Sequence, residues 1–283
     1  MTTNSKTTRT GTPGFSAQSL RSGDALSELV HKIGHDIGNP LTAVISVCSI
    51  MQTMADMDKN NPALISKVSE YAGMLTGEAW KISRINERLV SLLSSRKPNL
   101  AACNVHSNFV TVFNRLQSRN QKKFGKLEIV FNSKSNADPS GRCGGTHRPL
   151  HEEVDVAALA DNNQLNLLIT ELLANCADAL EKDAAGRPLG VPYNKISVNI
   201  FKDSDLACFS VASTVSFRCE TENLSDLFNP FVSVGFPEEK KIGLGLTTAL
   251  ATIERMNGKI ELSEREEGDG KYCFSVTVKL PMA

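Results

Sequence analysis

The sequence predicts a two-part α + α/β protein: a helical hairpin followed by an α+β sandwich. Three observations carry this reading. Apolar residues recur at three- and four-residue steps over residues 24–94, with a single break at 58–62. Beyond residue 98 helical periodicity mixes with strict alternation, the pattern of helices and mostly antiparallel strands packed in layers. The chain has 283 residues, enough for about two domains at roughly 150 residues each.

The first helix carries Leu26, Leu29, Val30, Ile33, Ile37, Leu41, Val44, Ile45 and Cys48 in one stripe, with Pro40 inside it. Proline removes a backbone donor, so a kink is expected there. Asp58-Lys-Asn-Asn-Pro62 breaks the pattern, with Asn60 or Asn61 as a cap and Pro62 tolerated in the next first turn. A second helix over 62–94 shows Leu64, Val68, Tyr71, Leu75, Ile82, Ile85, Leu89 and Leu92. Two long helices joined by a short turn form an antiparallel hairpin. Such a hairpin cannot cover both stripes alone, and dimerisation into a four-helix bundle solves this.

Arg96, Lys97 and Pro98 read as a linker, placed at 97–102, and the second domain is expected over 103–283. Within it the patterns predict a helix over 107–121, a strand over 126–132, a polar surface loop over 133–153 and an apolar helix over 161–180. Paired strands follow over 195–201 and 206–211, then an irregular stretch over 212–241. A helix over 244–256 and strands near 259–262 and 272–280 complete the chain. Residues 1–22 are Ser/Thr-rich without an apolar signal core, which predicts a disordered tail. Their basic residues, with no acid before Asp24, leave a transit peptide as the alternative.

Composition excludes several classes. Lysine plus arginine number 31 and aspartate plus glutamate 31, so the net charge is zero and the cationic surplus of a generic nucleic-acid binder is missing. Seven scattered cysteines with no CxxC pair argue against a disulfide framework or a zinc ribbon and favour a reducing, cytoplasmic setting. No run of about 18 apolar residues is uninterrupted, so no membrane span is expected.

Candidate chemistry lies in three places. His35 and Asp36 are adjacent on the first helix, and Asn39 lies one turn on. A helical histidine with one unprotonated ring nitrogen can act as a nucleophile, with a carboxylate holding the other nitrogen's proton. His31 and His35 also have a four-residue metal spacing, but further zinc ligands are absent nearby. Glu171, Asn175 and Asp178 share one face of an otherwise apolar helix, and a carboxylate with an amide oxygen suits magnesium held with phosphates. Gly243-Leu244-Gly245-Leu246 opens a helix, where backbone amides favour anions.

These motifs resemble those of the two-component sensor histidine kinases across nearly the whole chain. His35-Asp-Ile-Gly-Asn-Pro-Leu-Thr42 is similar to their H-box, Glu171-Leu-Leu-Ala-Asn-Cys-Ala-Asp-Ala179 to the N-box of the ATPase superfamily they share with gyrase, Hsp90 and MutL. Gly243–Leu246 is similar to the last glycine box, Leu227-Phe-Asn-Pro-Phe231 to the F-box of the ATP lid, and Met256-Asn-Gly-Lys-Ile260 to the G-G-x-I strand entry. The resemblance implies a hairpin that dimerises and carries the phosphoacceptor His35, activated by Asp36, with Asn39 positioning water for dephosphorylation. It implies a sandwich of the histidine kinase/Hsp90-like ATPase type that binds ATP and Mg2+. There Asn175 would hold the metal, with Glu171 assisting. Asp178 and Ser213 would lie near the base, Phe228 would belong to the lid, and Gly243, Leu244, Gly245 and Leu246 would meet the phosphates. The implied partner is a response-regulator receiver domain, with input from a separate sensor protein, from the tail or from the 133–153 insertion; the composition above adds neither nucleic acid nor a membrane span.

The family's first glycine box, D-x-G-x-G, is missing. Phe209–Phe217 contains neither aspartate nor glycine, and Ser213 stands nearest the aspartate position. Losing that charge-assisted bond would cost roughly 1.5–3 kcal/mol of nucleotide binding. The alternative is therefore a degenerate kinase, acting as a phosphotransfer or phosphatase adaptor or as a dimeric scaffold. An anti-sigma-type serine kinase or a MutL-like ATPase would leave the H-box unexplained.

Overall fold

The computed structural model describes residues 8–14, 16, 23–55, 62–94, 96–132, 147–148, 155–185, 195–232 and 243–283. The chain divides into two compact units. One is Ser19–Leu93; the other joins Met1–Gln18 to Ser94–Ala283.

The first unit is a pair of long helices packed on one another, α1 (Gly23–Ala55) and α2 (Pro62–Leu93). Helix α1 runs through Pro40, which cannot donate to the Asp36 carbonyl. Two residues beyond, Thr42 Oγ1 donates to the Gly38 carbonyl at 2.8 Å, and Ser46, Ser49 and Thr53 repeat that four-residue pattern. The single apolar stripe expected on α1 resolves into two faces. Ile33 and Val47 are buried, as are Ile85 and Leu92 on α2, whereas Val30, Leu41, Ile45 and Ile50 are exposed, with Val68, Met74 and Val90 on α2. Two helices have room to bury only one face of each, and the other remains bare.

Residues 37–54 of α1 are long and apolar enough to cross a membrane by length and composition, and 11% of that window is buried. No uninterrupted apolar run underlies this window, whose mean hydropathy of 1.2 averages over interspersed Thr and Ser.

The second unit has a seven-stranded sheet in the order β1-β8-β9-β7-β6-β3-β4. Its strands are β1 (Thr8–Gly11), β3 (Glu128–Asn132), β4 (His147–Arg148), β6 (Lys195–Asp203), β7 (Leu206–Val215), β8 (Lys259–Gly268) and β9 (Lys271–Pro281). All neighbours are antiparallel except β3 and β6. A separate ladder pairs β2 (Ala101–Asn104) with β5 (Ala157–Ala160). Helices α3 (Val105–Arg119), α5 (Asn162–Ala185) and α6 (Gly245–Arg255) complete the sandwich, with the short α4 (Gln121–Phe124) and a 3-10 turn, Leu224–Phe228. Phe109 of α3 meets Phe131 and Phe209 edge-on, at 6.3 and 5.3 Å between ring centres, and these three rings centre the core.

Several expectations change. Residues 8–11, placed in a disordered tail, form β1, because β8 offers its free edge to them. The 97–102 linker belongs partly to the fold: Ala101 and Ala102 sit in β2, and the Asn99 N–H donates to Asp161 Oδ2 at 2.9 Å. The expected 133–153 loop contributes β4, whose His147 and Arg148 pair with Asn132 and Phe131; residues 133–146 and 149–154 lie outside the described residues. Strand β7 extends four residues further than expected, to Val215.

Candidate functional site

Helix α5 supplies the polar face. Asp161 caps it, accepting the N–H groups of Asn163 and Gln164 at 3.0 and 3.2 Å. Leu165, Leu168, Ile169, Leu172 and Leu173 are buried, which fixes the helix rotation and orients Glu171 and Asn175 together. Glu171 is itself 1% exposed.

Helix α6 meets this face end-on. A Cβ added to Gly245, its first residue, would lie 3.0 Å from Asn175 Oδ1, 3.2 Å from Glu171 Oε2 and 3.3 Å from Asn175 Nδ2. A side chain here would be accommodated only if Asn175 or Glu171 gave way slightly. Leu244 precedes the helix, is buried and makes no side-chain cap hydrogen bond, as its side chain has no acceptor to offer. Leu246 is partly exposed. The start of α6, the Asn175 amide and the Glu171 carboxylate therefore converge at one spot.

The segment entering α6 is tied back on itself. Gly243 has φ +67°, and a Cβ there would press within 2.6 Å of Phe231 C and Val232 O. The Phe231 N–H donates to the Gly243 carbonyl at 3.1 Å. Thr247 Oγ1 donates to the Phe228 carbonyl at 2.9 Å, and Phe228 is buried. Residues 233–242, between these partners in sequence, lie outside the described residues.

Two more of the expected residues have partners within the fold. Asp178 forms an ion pair with Lys123 of α4, and Lys123 also lies 3.6 Å from Glu181. Ser213 is buried in β7 opposite Phe274, and its hydroxyl bonds to the Cys176 thiol. Burial pushes that thiol up to about 12, with the Ser213 bond acting the other way.

Sequence reasoning missed Asp183 and Arg9. Asp183 is 4% exposed and accepts the Ser216 N–H, pinning the end of β7 to α5. Arg9 pairs with the buried Glu264 at 2.9 Å. A buried carboxylate in Leu180-Glu-Lys-Asp183 gives no sequence signal, because the same string reads as a solvated helix end.

His35, Asp36 and Asn39 all lie on α1, in the other unit, with Asn39 exposed. Among the described residues no group of three or more His, Cys, Asp or Glu side chains is placed to hold a metal.

No family model matches the chain. The chain is 24% identical over 260 residues to the sensor protein kinase PilS of Pseudomonas aeruginosa, a match covering 90% of this chain and 41% of PilS, so it spans about two fifths of that relative. Among solved structures, the histidine kinase AdeS of Acinetobacter baumannii matches with a TM-score of 0.51 and 16% identity, covering 88% of this chain and 98% of that one. Full-length ShkA in complex with AMPPNP matches with a TM-score of 0.52 and 14% identity, covering 89% of this chain and 46% of that one. The chain carries the fold of the two-component histidine kinases, a helical part followed by their mixed-sheet domain, and is similar along most of its length to one of their sensor kinases.

Proposed function

We propose that this chain is an ATP-dependent histidine kinase that phosphorylates its own His35 and passes the phosphoryl group to an aspartate of a response regulator. One observation carries the reading: Gly245 brings the start of α6 against Glu171 and Asn175. Helix amides of this kind favour phosphate oxygens. An amide oxygen beside a carboxylate fits magnesium, which completes its shell with water and phosphate. With no side chain on Gly245, the start of α6 lies beside an amide oxygen and a carboxylate, a donor set that fits the Mg-nucleotide that the resemblance implies.

In this reading Asn175 holds the metal and Glu171 orients it. Leu244 and Leu246 flank the phosphate turn, and Gly243 supplies its left-handed bend. Asp178, Ser213 and Phe228 border the rest of the nucleotide. Bound magnesium would neutralise charge on the phosphates. One ring nitrogen of His35 attacks the terminal phosphorus, the bond to the ADP oxygen breaks, and Asp36 holds the proton on the other ring nitrogen. Positioning and charge stabilisation supply most of such a rate. Asn39, exposed on the same helix, orients water when the regulator is dephosphorylated.

The bare faces of α1 and α2 support a homodimer through the hairpin, since a second copy would cover Leu41, Ile45 and Val68. Among the described residues no cysteine forms a disulfide, in keeping with the cytoplasm. Input would come from a separate sensor protein or from residues preceding α1.

The test is incubation with ATP labelled on its terminal phosphate, with magnesium. An acid-labile label lost in His35→Ala and Asn175→Ala is expected. No label, together with no nucleotide binding at millimolar ATP, would sink the kinase reading in favour of a phosphotransfer adaptor.

A further inference from the structure

The strand that precedes α1 is built into the other unit, and its contacts converge on one segment. In β1 the side chain of Arg9 and the bare face of Gly11 point inward, while Thr8 and Thr10 are exposed. The Arg9 guanidinium pairs with Glu264 Oε2 at 2.9 Å and donates to the carbonyls of Cys219, at 3.4 Å, and Glu222, at 2.9 Å; it also donates to the Thr221 carbonyl. Glu264 in turn accepts the Cys219 N–H at 2.6 Å through its other oxygen. Gly11 lies so close to Leu224 and Ser225 that a Cβ would come within 2.7 Å of both. Ser16, further along, donates to Glu254 of α6 at 3.1 Å.

The clamped segment leads directly to the site. It continues into the 3-10 turn, whose Phe228 carbonyl accepts from Thr247, and then to Phe231, whose N–H bonds Gly243. We infer that Arg9 is a positioning residue: with Gly11 it fixes residues 219–231, and through them the Gly243–Gly245 turn, in register with Asn175. A planar fork with several donors suits this task, because it can hold three carbonyls of one short segment and a carboxylate at once. The arrangement also gives events at residues before α1 a physical route to the turn. That the turn holds nucleotide phosphates rests on the reading above; that β1 orders it does not.

Hydrogen exchange on the full chain decides it, with binding of Mg2+ and a fluorescent ATP analogue measured alongside. In Arg9→Ala and Gly11→Val, amides of 219–231 and 243–248 should exchange faster by about threefold to thirtyfold, with those of α3 and β6 unchanged. Arg9→Lys should recover part of the protection, and the outward-facing Thr10→Ala should match the parent. Unchanged exchange at 243–248 in both variants would overturn the inference. So would faster exchange spread evenly over the sheet, which is what a general stabiliser produces. Failure of the parent to bind the analogue would defeat the nucleotide reading alone, leaving the exchange result to decide the role of Arg9.

Discussion

The carboxylate of Asp183 accepts the backbone N–H of Ser216 at 2.8 Å and also the Ser216 hydroxyl. One side chain near the C-terminal end of α5 thereby fastens the chain as it leaves β7. This is where the family resemblance calls for a glycine-rich box and the sequence supplies Val215, Ser216 and Phe217. Lys182, beside Asp183, lies over the Phe217 ring at 4.6 Å and adds to the fastening. Asp183→Ala leaves a Ser216 donor without this acceptor. A loss of about 1.5–3 kcal/mol is expected, read as a lower urea midpoint at unchanged slope. Asp183→Asn, which keeps one acceptor oxygen, should lose less.

Gly245→Ala tests the site without disturbing the core. The added methyl would press on Asn175 and Glu171, so affinity for Mg-nucleotide should fall about tenfold or more, which is about 1.4 kcal/mol or more. Alanine is the better helix former by up to about 1 kcal/mol, which opposes the strain of these contacts, so thermal stability should change little. Titration calorimetry beside a melting curve separates the two effects. Equal affinity in parent and variant would refute the phosphate site.

Buried thiols predict an alkaline weakness. Burial raises Cys176 from 9.0 to about 12 and Cys208 from 9.0 to about 11, while the unfolded chain ionises near the ordinary value. The folded state therefore keeps protons that the unfolded state releases. The stabilisation is complete below pH 9 and is lost as pH rises toward about 11 and 12. Each thiol contributes a slope of up to ~1.4 kcal/mol per pH unit. Urea midpoints at pH 8.5 and 10 should fall further in the parent than in Cys176→Ala, and a parallel fall would contradict this account.

Ile45→Lys probes the bare helical face. The side chain is 59% exposed in a single copy, so folding should be untouched. In a four-helix dimer the ammonium would be buried. Light scattering should then report a shift from dimer to monomer, with the circular dichroism of the monomer unchanged. A dimer that persists at micromolar concentration would place the interface elsewhere.

The long elements were legible because their patterns are local. Helices α1, α2, α5 and α6 and strands β6 to β9 each show apolar residues at the period of their own backbone. Strand β1 escaped because its inward residues are Arg9 and Gly11, neither apolar, and its partner lies 255 residues away at Glu264. Strands β2 and β5 escaped because Ala-Ala-Cys-Asn and Ala-Ala-Leu-Ala have weak strand preference. At the site, Glu171, Asn175 and Gly245 could be named from spacing, but their meeting depends on two helices brought together by the sheet. The partners of Asp178 and Ser213 come from α4 and α5 and have no trace in their neighbouring residues.

The pairing of β1 with β8 also bears on how the protein is made. Residues 8–11 emerge from the ribosome some 250 residues ahead of 262–265, to which they pair. At about 5–20 residues per second that interval is on the order of 10–50 s. Throughout it, α1 and α2 can fold while β1 waits unpaired, so nascent chains should pass through a state with a completed hairpin and a β1 without its partner, and the β8 edge opens only as 262–265 emerge. An extended peptide, or β1 of a neighbouring nascent chain, could fill that edge first, making the order of synthesis a determinant of which copy's strand closes the sheet.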